Sequence, residues 1–189
     1  MITIVSGLPR SGTSLMMQML AAGGMTVMSD EARPADEHNP RGYLEDRRVK
    51  GLQRDNSWVG EADGHVLKVV SLLLYDLPQD LQYRVIFMRR DLDEVLRSQH
   101  SMLGQESKDA APTPEIRKHF ERHLAALKDW LPKQSHIDLI EVEHRRAITE
   151  PHDTATTVQQ FLQIDLDVTA MASVVDQSLY RQRTGDLSP

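Results

Sequence analysis

Eight consecutive residues, Gly7-Leu8-Pro9-Arg10-Ser11-Gly12-Thr13-Ser14, carry the clearest chemistry in this chain. Two glycines bracket four residues, a G-x-x-x-x-G spacing that lets a loop turn its backbone N–H groups around an anion. A helix starting directly behind the loop adds the positive end of its dipole at the same spot, which suits a phosphate. Nucleoside-triphosphate loops place a lysine after the second glycine; here that residue is Thr13, and the loop's cation is Arg10. The loop is therefore expected to hold a phosphate without the lysine that ATPases and kinases set on the β/γ-phosphates. The competing reading is an ordinary strand–turn–helix junction capped by Ser11 or Thr13.

The flanking elements fit an anion cradle. Ile2-Thr3-Ile4-Val5 reads as a buried strand over 2–6, and Leu15, Met16, Met19 and Leu20 form one face of a helix over 12–22. Gly23-Gly24 ends that helix. Residues 29–42 are polar, contain Pro34 and Pro40, and read as a long loop of the kind that often serves function. A helix is expected from Leu44 to Arg54. Further strands are expected at 65–70, 83–88 and 137–142, and helices at 91–103, 114–131, 152–163 and 167–179. The helix from Pro114 has the stripe Ile116, Phe120, Leu124, Leu127 and Leu131. Gly104 to Pro114 reads as a polar linker. Nearly continuous apolar strands alternating with helices predict an α/β fold, a doubly wound parallel sheet with helices on both faces. At 189 residues the chain is expected to form one domain over 1–189.

The net charge of −6 disfavours a general nucleic-acid role. The absence of cysteine excludes disulfides and thiolate chemistry. No apolar run approaches the about 20 residues of a membrane span. Met1 leads straight into the first strand, so no signal peptide and a cytoplasmic location are expected.

The segment Pro9-Arg10-Ser11-Gly12-Thr13-Ser14 resembles the 5′-phosphosulfate loop of the P-loop sulfotransferase superfamily, whose donor is 3′-phosphoadenosine-5′-phosphosulfate (PAPS). The tyrosylprotein branch carries an almost identical Pro-Arg-Ser-Gly-Thr-Thr. Ile86-Phe87-Met88-Arg89-Arg90-Asp91 is similar to a second family segment, in which an Arg at a strand end and a Ser eight residues later hold the 3′-phosphate; Arg90 and Ser98 match that spacing. The resemblance implies a donor site made of Leu8, Pro9, Arg10, Ser11, Gly12, Thr13 and Ser14, with Arg90 and Ser98. It implies Arg10 and Lys68 as the cations on the transferring group, with no metal required.

The cytosolic members use a His two residues after that lysine as base, and here the position is Val70. Aligned without a gap, Ser29-Asp30-Glu31-Ala32-Arg33 falls on the tyrosylprotein segment that carries a Glu base, which implies Glu31 or its neighbour Asp30. Asp36, His38 and Glu45 share that polar stretch and stay open. His144 stands where many members place a Tyr against adenine, and Arg181 and Arg183 weakly resemble a donor-closing loop. The implied acceptor is a small molecule or peptide, with no nucleic-acid or membrane partner and homo-oligomer formation left open. A non-catalytic nucleotide-binding module and a P-loop nucleotide kinase or NTPase are the rival functions. His119 and His123, four apart on a helix, read as a solvated face rather than a zinc pair, and Trp58 as packing.

Overall fold

A computed structural model describes residues 1–30, 42–103 and 114–176. Four strands, β1 (Ile2–Gly7), β2 (Val66–Lys68), β3 (Tyr83–Arg89) and β4 (Ile137–Glu143), form a parallel sheet in the order β2-β1-β3-β4. Ile4 lies opposite Leu67 on one side and Val85 on the other, and Ile86 lies opposite Ile140. Val27 adds a single parallel bridge to Val66 on the outer side of β2.

Side chains alternate across the pleat, so each strand feeds two layers. Ile2, Ile4, Leu67, Val85 and Phe87 face one cluster, which takes in Trp58, Val59, Leu74 and Leu127. Val5, Val66, Ile86 and Met88 face the other, packed on Met16, Met17, Met19, Leu20, Val158 and Met171. The second layer is built from the helices α1 (Thr13–Ala22), α4 (His144–Thr149), α5 (Pro151–Leu162) and α6 (Val168–Ser173). Helices α2 (Leu92–Leu103) and α3 (Pro114–Trp130) connect β3 to β4. A small third cluster joins Leu8 of the loop to Val95 and Leu96 of α2 and Phe120 of α3.

This is the expected α/β fold with a parallel sheet flanked by helices. Several local expectations need correction. The helix expected at 44–54 is only a 3-10 turn, Arg47–Gly51, with the Asp46 carboxylate accepting from Arg48 N–H at its start. Asp46 also grips the Arg48 guanidinium, and that local pairing favours a tight turn over a continuing helix. The strand expected at 65–70 is shorter, Val66–Lys68, and a 3-10 turn, Ser71–Asp76, follows it. The short helix α4 was not anticipated. The α3 stripe packs inward through Phe120, Leu124, Leu127 and Leu131, but His123 is buried on the same face and Ile116, near the helix start, is exposed.

Candidate functional site

The order β2-β1-β3-β4 places a topological switch between β1 and β3. The chain leaves β1 toward β2 and leaves β3 toward β4, and open α/β sheets bind ligands outside the strand ends at such a point. The loop after β1, Lys68 at the end of β2 and Arg90 after β3 all lie at this end of the sheet.

Two glycines set the loop's shape. Gly7 has φ 147°, and a Cβ there would lie 2.7 Å from the Met88 carbonyl oxygen of the neighbouring strand. Gly12 has φ 99° and is the N-cap of α1, where no side chain caps the helix. The uncapped helix start therefore does not match the Ser11 or Thr13 junction reading. A Cβ on Gly12 would lie 3.2 Å from Cγ and Nε2 of His144 and closer still to Cδ2. His144, first residue of α4, is thus wedged beneath the loop and is 8% exposed. Burial, reinforced by the positive charge of Arg90 and opposed by Glu94, pushes its imidazole down to about 3. The ring supports the loop rather than offering an open face to adenine. Ser11 Oγ is buried without a hydrogen-bond partner among the described residues.

Arg10 has φ 70°, a left-handed backbone that is uncommon without glycine. Contacts from the β3–α2 segment help to hold it. Its Nε donates to Ser98 Oγ at 3.0 Å, and its carbonyl accepts from Arg90 Nη1 at 3.0 Å. Arg90 Nε in turn donates to Glu94 Oε2 at 2.9 Å, with side-chain exposures of 9% and 4%. The three residues singled out from sequence, Arg10, Arg90 and Ser98, are therefore brought together. Glu94 completes the group and was missed, although its i,i+4 spacing from Arg90 at a helix start was a readable signal.

Lys68 is 7% exposed. Its Nζ donates to Ser14 Oγ at 2.9 Å, to the Tyr43 carbonyl at 2.9 Å and to Glu45 Oε1 at 3.0 Å. Lys68 is thus tied to the first turn of α1. Among the described residues, Glu45 is the carboxylate placed against it. Asp30 is turned elsewhere: its Oδ2 accepts from Arg47 N–H at 3.1 Å and pairs with Arg47 Nε at 2.8 Å. It lines a cavity of about 480 Å³ with Asp46, Arg47, Arg48 and His65. Glu31, Arg33, Asp36, His38, Arg181 and Arg183 lie outside the described residues.

Two other sequence readings meet the structure nearby. His123 is buried rather than solvated, and its Nε2 lies 2.9 Å from Ser71 Oγ in a buried hydrogen bond. Burial, with a smaller contribution from His119, lowers its pKa. Trp58 packs as expected, buried with the Arg48 guanidinium 4.3 Å above its ring.

No protein-family model and no curated protein matches the chain. Among solved structures, an unliganded sugar kinase from Janibacter sp. HTCC2649 is similar, with 11% identity, a TM-score of 0.44, and coverage of 94% of this chain and 96% of that chain. At that identity and score it carries no argument about activity. Among the described residues no helix is long and apolar enough to cross a membrane.

Proposed function

We propose that this protein is a sulfotransferase that moves a sulfuryl group from PAPS to a hydroxyl or amine acceptor. The observation that carries this reading is a glycine-shaped loop at an uncapped helix start whose cations are Arg10 and Lys68 and whose second glycine is followed by Thr13. Loop N–H groups and a helix N-terminus favour a phosphate, while a Walker-type contact to a γ-phosphate lacks its lysine. Arg90 and Ser98, joined to the same loop, supply a second anion-binding cluster, which fits a donor with separate 5′ and 3′ phosphates.

In this reading residues 8–14 cradle the 5′-phosphosulfate. The acceptor oxygen or nitrogen forms a bond to sulfur as the bond from sulfur to the bridging phosphate oxygen breaks. Charge grows on the departing phosphate, and Arg10 and Lys68 stabilise it. Lys68 gives its three ammonium protons to Ser14, the Tyr43 carbonyl and Glu45, so it reaches the phosphate by exchanging one of these contacts. The acceptor proton passes to a carboxylate. Asp30, Glu31 and Glu45 are the candidates; Glu45 is favoured over Asp30 because it already contacts Lys68, whereas Asp30 pairs with Arg47.

Calorimetric titration with 3′-phosphoadenosine-5′-phosphate, the donor's product, beside ADP with Mg²⁺ tests the reading. Preference for the bisphosphate is expected. Binding of ADP–Mg²⁺ alone would replace it with a kinase or NTPase, and bisphosphate binding without transfer to any acceptor would leave a nucleotide-binding module.

A further inference from the structure

We propose that Glu94 is a positioning residue that makes the protein select ligands with a second phosphate, nucleoside 3′,5′-bisphosphates over 5′-monophosphates. The inference rests on the donor proposed above. Glu94 sits in the first turn of α2, four residues after Arg90, and its carboxylate holds the Arg90 Nε edge at 2.9 Å. From the opposite side the Arg10 carbonyl accepts from Arg90 Nη1 at 3.0 Å. A guanidinium is planar, so contacts on two of its edges fix its plane as well as its position. Arginine otherwise keeps considerable rotamer freedom on its long stem.

The burial of this pair gives the arrangement its force. At 9% and 4% exposure, neither partner is solvated well enough to stand alone, and removing one leaves an uncompensated buried charge. The chain of contacts then runs from Arg90 to the Arg10 carbonyl, and from Arg10 Nε to Ser98 Oγ, also on α2. Helix α2 therefore grips the phosphate loop at two points, through Arg90 from Glu94 and through Arg10 from Ser98. A carboxylate beside an anion site weakens simple attraction for phosphate. What it supplies instead is a fixed direction for the guanidinium relative to the loop. Such a site rewards a second phosphate held at a set distance from the first, as on one ribose, and rewards a lone anion little.

The test is titration of wild type, Glu94→Gln and Glu94→Asp with 3′-phosphoadenosine-5′-phosphate and with adenosine 5′-phosphate. Wild type should prefer the bisphosphate. Glu94→Gln should cut that preference by about tenfold, the worth of one charge-assisted hydrogen bond from a displaced Arg90 to the second phosphate, with little change for the monophosphate. Glu94→Asp keeps the charge on a shorter arm and should show an intermediate preference. Should Glu94→Gln not fold, Glu94→Asp carries the same readout. An undiminished preference in the variants, or equal weakening of both ligands, overturns the inference while leaving the donor reading intact. A wild type that binds both ligands alike overturns the donor reading and this inference with it.

Discussion

Replacing Gly12 by alanine strikes the Gly7–Ser14 loop where a new Cβ has least room. The residue sits at φ 99°, in the left-handed region, where a side chain costs about 1–2 kcal/mol. The new Cβ would also press on His144, at 3.2 Å from Cγ and Nε2 and nearer to Cδ2. That ring is buried at the start of α4, so relief requires the loop or the helix to move, and overpacking of this kind costs about 1–3 kcal/mol. Together the two effects predict a loss of about 2–5 kcal/mol and a displaced phosphate cradle. Urea unfolding of wild type, Gly12→Ala, His144→Ala and the double variant separates them. The steric part belongs to the pair, so the double variant should be more stable than the summed single losses by about 1–3 kcal/mol. Strict additivity, or a Gly12→Ala protein as stable as wild type, would refute the wedge.

Other outcomes follow from the same geometry. Arg10→Ala and Lys68→Met should each lower turnover at saturating donor by about 10²–10³, as loss of a preorganised charge contact does; a change confined to KM would contradict their assigned role. The His144 imidazole is held near 3 when folded, against 6.5 as the reference value, so between these pH values the unfolded chain binds the extra proton. Stability should therefore fall as pH drops through that window, by at most about 1.4 kcal/mol per unit, and His144→Gln should flatten the slope in urea titrations. Ser71→Ala should cost about 1–3 kcal/mol by stranding the buried His123 ring, and pairing it with His123→Leu should cost less than Ser71→Ala plus His123→Leu separately, as read from thermal unfolding.

The sheet and its main helices were legible because their apolar periods are strong: β1, β3 and β4 read as near-continuous apolar or alternating runs, and α1 and α3 as one-sided stripes. Short elements were not. The six-residue α4, His144–Thr149, is too short to show a helical apolar period. The turn at Arg47–Gly51 reads as a helix by composition, yet the Asp46–Arg48 pairing closes it locally. His123 read as surface because it is polar, yet it lies three residues from Phe120 and four from Leu127, on the face that α3 buries, with Ser71 supplying its buried partner.

For the candidate site, Gly7 to Ser14 stood out by residue type and spacing, whereas Lys68, Arg90 and Ser98 were implied by the family resemblance; all of them lie at one end of the sheet. How they join was hidden. The Arg10–Ser98 bond links residues 88 apart, and Lys68 reaches Glu45 over 23 residues, separations that no local pattern encodes.

Phosphorus NMR of bound 3′-phosphoadenosine-5′-phosphate tests the central claim most directly. Both phosphate resonances should shift on binding, with the 5′ shift reduced more than the 3′ shift in Arg10→Ala and the reverse in Arg90→Ala. Resonances that do not move, or that move alike in both variants, would contradict a two-phosphate donor site built on this loop.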